Sequence, residues 1–352
     1  MTPTLPSARP VALWLLLGTG MIAAMVAIGG VTRLTGSGLS ITEWNVLMGT
    51  WPPLSEQDWV TLFGKYQATP QYALVNSHFT LEQFKGIFWW EYGHRLVGRA
   101  LGLVFLVPAA WFLVKGYLDR RLRVQVLGIF LLGGLQGVLG WLMVASGLVD
   151  RPSVSHYRLA AHLLTALLTM SVTFWVALEV LHRGRPAVPV PVALRRQVWL
   201  FVTLLVIQIT YGAFVAGLKA GFAYNTFPLM GEHLVPDGLL SLHPAWRNLT
   251  ENPATVQFVH RTLAWSLALF GIWLWYSLRV HAIRRGAHLL LAALSLQFTL
   301  GVVTILRLPE APVLWGTVHQ SGAVVLLAAS VFVLFAVRRG EPAAPGHRQA
   351  PS

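Results

Sequence analysis

The 352-residue sequence contains no cysteine. That excludes disulfides, thiolate-bound iron and cysteine-type zinc sites within the chain, and it leaves histidine as the main ligand for any redox centre. Charge is also scarce. Only 11% of the residues are charged, against about 25% in an average soluble domain. Acids are the scarcer sign, 13 against 26 lysines and arginines, for a net charge of +13. With 55% hydrophobic residues and a mean hydropathy of +0.61, the composition excludes a soluble fold and indicates a polytopic membrane protein. The positive excess does not indicate nucleic acid. The basic residues fall in short gaps between apolar runs, where membrane topology accounts for them.

Apolar runs are what the chain has in abundance. Eight are predicted to be helical, near 11–30, 88–114, 124–146, 156–181, 197–217, 255–280, 288–306 and 314–337. Each is long enough, or nearly so, for a span of about 20 residues. The first run, Val11 to about Gly29, lacks the short core and cleavage site of a secretory signal. No Arg- and Ser-rich stretch precedes it, so a bacterial inner membrane is expected rather than an organellar precursor. Lys115, Arg120, Arg121, Arg123, Arg183, Arg185, Arg195, Arg196, Arg279, Arg284, Arg285, Arg338 and Arg339 all fall after even-numbered runs. By the positive-inside rule those gaps, and both termini, are cytoplasmic.

The two long gaps, 31–87 and 218–254, then lie outside. In the first, Ser55-Glu56-Gln57-Asp58 can cap a short helix through Phe63 and Tyr66, and Thr80-Leu81-Glu82-Gln83 can cap the lead-in to the second run. Trp44, Trp51, Trp59, Trp89 and Trp90 suit an interfacial lid or a plain aromatic belt.

The chain also repeats. Leu135-Gln136-x-x-Leu139-Gly140 matches Leu296-Gln297-x-x-Leu300-Gly301, His94-Arg95 matches His260-Arg261, and His162 matches His319. Four runs per half is an even number, so the repeats share one orientation. The expected architecture is all-α: eight transmembrane helices forming two pseudo-symmetric four-helix bundles, residues 1–190 and 191–340, with a cytoplasmic tail over 341–352.

Of 12 histidines, only His94, His162, His260 and His319 fall inside apolar runs, one per even-numbered run. All four are expected roughly 8–9 Å below the outer surface, at 1.5 Å per residue. Paired histidines at one depth suit axial ligation of haem iron between facing helices, and are too few for a closed zinc site. Glu91, three residues before His94, either lines a reactive site or pairs with Arg95. Arg95, Arg99 and Arg261 either meet propionates or extend to headgroups. Gln136 and Gln297 read as contacts between helices.

Longer strings carry a resemblance. Gly29-Gly30-Val31-Thr32-Arg33-Leu34-Thr35-Gly36-Ser37-Gly38-Leu39, Phe84-Lys85-x-Ile87-Phe88-x-x-Glu91-Tyr92-x-His94-Arg95-x-x-Gly98-Arg99, Gly212-Ala213-x-Val215-Ala216-Gly217 with Asn225-Thr226-Phe227-Pro228-Leu229-Met230, and Val256-Gln257-Phe258-x-His260-Arg261 follow in order. Together they resemble the haem A synthase family. The resemblance spans roughly residues 11–337. It implies oxidation of the C8 methyl of haem O to the formyl of haem A for cytochrome oxidase. It further implies haem b on His260 and His319, substrate or product haem on His94 and His162, and a functional acid at Glu91. Some members carry a cysteine pair in the first outer loop. Its absence here resembles the branch found in alphaproteobacteria and mitochondria, and no thiol-based step can run in this chain.

Implied partners are a haem O synthase, which is a farnesyltransferase, cytochrome oxidase assembly factors, an electron-transfer partner of unknown identity, and other copies of the chain. The competing readings are a di-haem cytochrome b acting on quinol, and a haem transporter or chaperone without chemistry.

Overall fold

The computed structural model describes residues 9–43, 50–148, 152–184 and 189–339. Trp44, Arg185, Glu341, His347 and the expected tail lie outside the described residues. Among those described the chain is all helical, with one isolated bridge between Met230 and His233. Eight helices are long: α1 (Arg9–Leu34), α4 (Leu81–Val114), α5 (Arg120–Ala145), α6 (His156–Leu181), α7 (Val192–Gly217), α9 (Pro253–Leu278), α10 (Arg284–Arg307) and α11 (Pro312–Arg338). Three are short: α2 (Glu56–Gln67), α3 (Pro70–Leu74) and α8 (Asn248–Glu251).

Among the described residues, seven of the long helices are apolar enough to cross a membrane, which makes this a multi-pass membrane protein. The exception is α9, 26 residues long, whose polar content includes Gln257, His260 and Arg261. Many apolar side chains on α4 and α5 point outward, Leu103, Val107, Val124 and Leu131 among them. In water such a surface would be an association site; against lipid tails it needs no cover.

The helix starts follow local chemistry. Ser55 and Thr80 each form a capping box, with Asp58 and Gln83 as the reciprocal partners. Hydrogen bonds from Ser55, and one from the Leu54 N–H, hold the Asp58 carboxyl below the ordinary range. The Thr80 cap starts α4 at Leu81 rather than 88, so the four histidines do not share one distance from their helix starts. His94 follows the first residue of its helix by 13 positions, whereas His162, His260 and His319 follow theirs by 6, 7 and 7. The extra turns of α4 are covered by the first long loop. Phe84 and Phe88 pack with Tyr66, and Trp59 sits edge-on to Phe88 at 4.9 Å. Trp59 is thus part of a lid, while Trp51, Trp89 and Trp90 remain exposed.

Within α4, Pro108 cannot donate to the Val104 carbonyl four residues back. The indole N–H of Trp14 on α1 donates to that oxygen instead, at 2.9 Å. The interior of a membrane offers no water for the purpose, so a helix partner supplies the bond.

Helix α1 packs on α4, α6 and α11, and α7 packs on α9, α6 and α11. α5 lies on α6, and α10 on α9 and α11. Side-chain bonds join the segments before and after residue 190, among them Arg33 Nη1 donating to the Ala216 carbonyl at 3.1 Å and Gln320 Nε2 donating to the Val26 carbonyl at 2.6 Å.

Candidate functional site

The four histidines share one construction. His94 on α4 lies against Gly29 on α1, His162 on α6 against Gly140 on α5, His260 on α9 against Gly212 on α7, and His319 on α11 against Gly301 on α10. A Cβ at any of these glycines would stand 3.1–3.2 Å from the imidazole Cε1. Each pair of consecutive long helices therefore contributes one glycine and one histidine. A missing methyl group leaves room for a ring at the same place four times. The glycines lie inside the sequence motifs, but nothing in the sequence assigns them this task.

The imidazole nitrogens are treated unequally. Gln136 Nε2 donates to the His162 carbonyl at 3.0 Å and lies 3.1 Å from His162 Nδ1. Gln297 repeats this on His319, at 3.1 Å to the carbonyl and 3.2 Å to Nδ1. Both glutamines join adjacent helices, as expected, and also face the rings. His94 Nδ1 and His260 Nδ1 are buried with no hydrogen-bond partner among the described residues. A buried nitrogen left unpaired costs about 1–3 kcal/mol, so these two are poised for a partner from outside the chain. The His260 and His319 rings lie 6.5 Å apart, centroid to centroid, with their planes at 85°. Two imidazoles on opposite sides of one ion, each with a bond of about 2 Å, place their centroids roughly 6–6.5 Å apart.

No group of three or more His, Asp or Glu among the described residues could hold a metal ion. Paired imidazoles are the donor set that suits a metal arriving with its own equatorial ligands, as haem iron does. On the exposed side of α9, Phe227 stacks on Trp265 at 6.0 Å, and Trp265 meets Phe298 at 4.8 Å.

Glu91 is buried. Its Oε1 accepts from Arg95 Nη2 at 2.6 Å and Nε at 3.1 Å. Its Oε2 accepts from Ser40 Oγ at 2.7 Å and the Ile41 N–H at 2.8 Å. Arg95 continues outward to the carbonyls of Ile41, at 2.9 Å, and Glu43, at 2.8 Å. The pair thus fastens the start of the first long loop onto α4, one turn above His94. The second half does the same with an amide. Gln257 Nε2 donates to the Tyr224 carbonyl at 3.0 Å, and Arg261 donates to the carbonyls of Tyr224, Thr226 and Leu229 at 2.7–3.1 Å. Arg95 and Arg261 therefore grip loop backbone. Arg99, one turn further along α4, is partly buried and within electrostatic range of Arg95 and Tyr92.

The second loop is itself held by polar side chains to which the sequence alone assigns no role. Asn225 Nδ2 donates to the Gly221 and Ile305 carbonyls at 2.8 and 3.0 Å. The buried Asn248 and Asn252 tie residues 238–245 to the start of α9.

Residues 12–331 match the COX15-CtaA family, described as cytochrome oxidase assembly protein. A protein of Nitrosospira multiformis named "Heme A synthase" is 48% identical over 338 residues, covering 94% of each chain. One of Nitrosomonas eutropha with the same name is 45% identical over 331 residues, covering 92% of each. A third, of Rhodospirillum centenum, is 48% identical over 337 residues, 95% of this chain and 90% of the relative.

Proposed function

The chain belongs to the COX15-CtaA family of cytochrome oxidase assembly proteins, and from that premise we propose that it is a haem A synthase, converting the C8 methyl of haem O to the formyl of haem A. The observation that carries the proposal is the pairing of His260 and His319 at 6.5 Å, within a glycine–histidine arrangement that recurs at His94 and His162.

In this reading the chain is two parallel four-helix repeats, 1–190 and 191–340, in an inner membrane with cytoplasmic termini and the histidines toward the periplasmic side. His260 and His319 hold haem b, and His94 and His162 hold the substrate or product. Turning the methyl into a formyl takes up an oxygen atom and releases electrons and protons, and bound haem b would pass those electrons singly to an acceptor outside the chain. The remaining steps fall to side chains. Glu91 takes up, at Oε2, a proton released as the methyl is oxidised, with Ser40 Oγ turning from donor to acceptor of the new carboxyl O–H. Ser40 and Ile41 couple that oxygen to the first loop, so loop position and proton uptake are linked. Arg95, Arg99 and Arg261 lie at the level where propionates would be met, with Arg95 and Arg261 also keeping the loops closed over the site. Upstream and downstream partners are a haem O synthase and the oxidase assembly factors, and copies of the chain associate with one another.

The test is product analysis in cells that make haem O. Wild type accumulates haem A, and Glu91→Gln lowers it at least ten-fold while extracted haem B stays at its wild-type level. A variant that makes haem A normally removes Glu91 from the mechanism. Recovery of haem B alone from wild type favours a quinol-linked cytochrome b.

A further inference from the structure

Two arginines near the histidines are already engaged. Arg95 pairs with Glu91 and holds the carbonyls of Ile41 and Glu43, and Arg261 holds those of Tyr224, Thr226 and Leu229. A third arginine stands where the two sets of helices meet. Arg33 lies in the last turn of α1 and is partly buried. Its one hydrogen bond among the described residues runs from Nη1 to the Ala216 carbonyl on α7, at 3.1 Å. No carboxylate of a described residue pairs with it. A guanidinium carries five N–H donors, and one neutral carbonyl does not balance a charge withdrawn from water.

The glycine–histidine arrangement fixes where that bond lies. Arg33 comes four residues after Gly29, the glycine behind His94, and Ala216 comes four residues after Gly212, the glycine behind His260. Residues four apart share a helix face. Arg33 and Ala216 thus hold the same place in the two copies of the pattern, each one turn, roughly 6 Å, beyond its glycine toward a long loop. Only the first copy has a cation there, and its side chain crosses to the second. The guanidinium ends on α7, one turn beyond the level of His260, while its stem is rooted in the helix that packs on His94.

We propose that Arg33 binds a propionate carboxylate of the porphyrin held by His260 and His319, so that a residue of the first half holds and tunes the haem of the second. The inference rests on the reading of that histidine pair as haem b ligands. A propionate is the carboxylate that such a cofactor brings with it, and guanidinium matches carboxylate in shape as well as in charge. A cation beside the propionate also favours ferrous over ferric haem, because reduction adds one negative charge. Arg33 therefore links the position of α1, against which His94 rests, to the ease with which haem b takes up an electron.

The test is optical redox titration of the detergent-purified full chain, followed at the absorbance of haem B, with haem B quantified by extraction. Arg33→Gln keeps an N–H for the Ala216 carbonyl and removes the charge. It should retain haem B and move its reduction equilibrium about ten-fold toward the ferric form, which is a midpoint about 59 mV lower for one electron. Arg33→Lys keeps the charge and should stay near wild type. An unchanged midpoint in an R33Q protein that carries haem B would overturn this inference and leave the haem b assignment standing. An equal fall in R33K and R33Q would also overturn it, because a structural tie between α1 and α7 would then account for both. If R33Q fails to retain haem B, R33K must retain it at the wild-type midpoint, and loss from both variants overturns the proposal. Wild type without haem B would overturn the haem b assignment itself, and this inference with it.

Discussion

His94, His162, His260 and His319 each occupy space that a glycine on the neighbouring helix leaves free. With a Cβ there, the imidazole would have to move by a few tenths of an ångström. Gly140→Ala and Gly301→Ala should each cost about 1–3 kcal/mol as overpacked contacts, read as weaker haem retention and a lower melting temperature. Gly137 is on the same helix as Gly140 but has nothing within 4 Å of its would-be Cβ. Gly137→Ala should be neutral or gain about 0.5–1 kcal/mol, the ordinary helix preference for alanine. Equal losses from G137A and G140A would contradict the packing argument. The histidines themselves were legible in the sequence, because a titratable group in an apolar run is conspicuous. The glycines were not, since their role is the absence of atoms opposite a ring on another helix. Nor was the grip of Arg95 and Arg261 on loop carbonyls, which depends on where residues 41–43 and 224–229 fold.

At the scale of helices, apolar runs located all eight long elements, and the capping sequences at Ser55 and Thr80 worked as read. Helix α4 shows where hydropathy misleads. Its first seven residues are polar enough to read as loop, yet the Thr80 capping box and the packing of Phe84 under the lid keep them helical. The Trp14 bond to the Val104 carbonyl is another feature that required coordinates. Trp14→Phe should destabilise the protein by about 1–3 kcal/mol, the cost of an unsatisfied buried carbonyl. Pro108→Ala restores an N–H to α4, so the same Trp14→Phe change in that background should cost measurably less. Thermal unfolding in detergent of the four proteins of this cycle checks it, and additive losses would show that the two sites are independent.

The whole molecule places its two kinds of chemistry at opposite ends. Paired imidazoles and clamped loops lie toward one end; arginines at the ends of α6 and α11 lie at the other. α1, α6, α7 and α11 pack across the middle, with Gln320 and Arg33 bonding between segments on either side of residue 190. Corresponding helices make corresponding contacts: α1 with α11 matches α7 with α6. That correspondence supports the two-repeat reading, to which the proposal of one porphyrin in each half belongs. Optical and chromatographic haem analysis of the purified chain, beside His260→Met and His94→Met, tests that assignment most directly. Wild type should yield haem B together with haem O or haem A. His260→Met should lose haem B and keep the other pigment, and His94→Met should do the reverse. A colourless wild-type protein, or two variants that lose both pigments to the same extent, would contradict it.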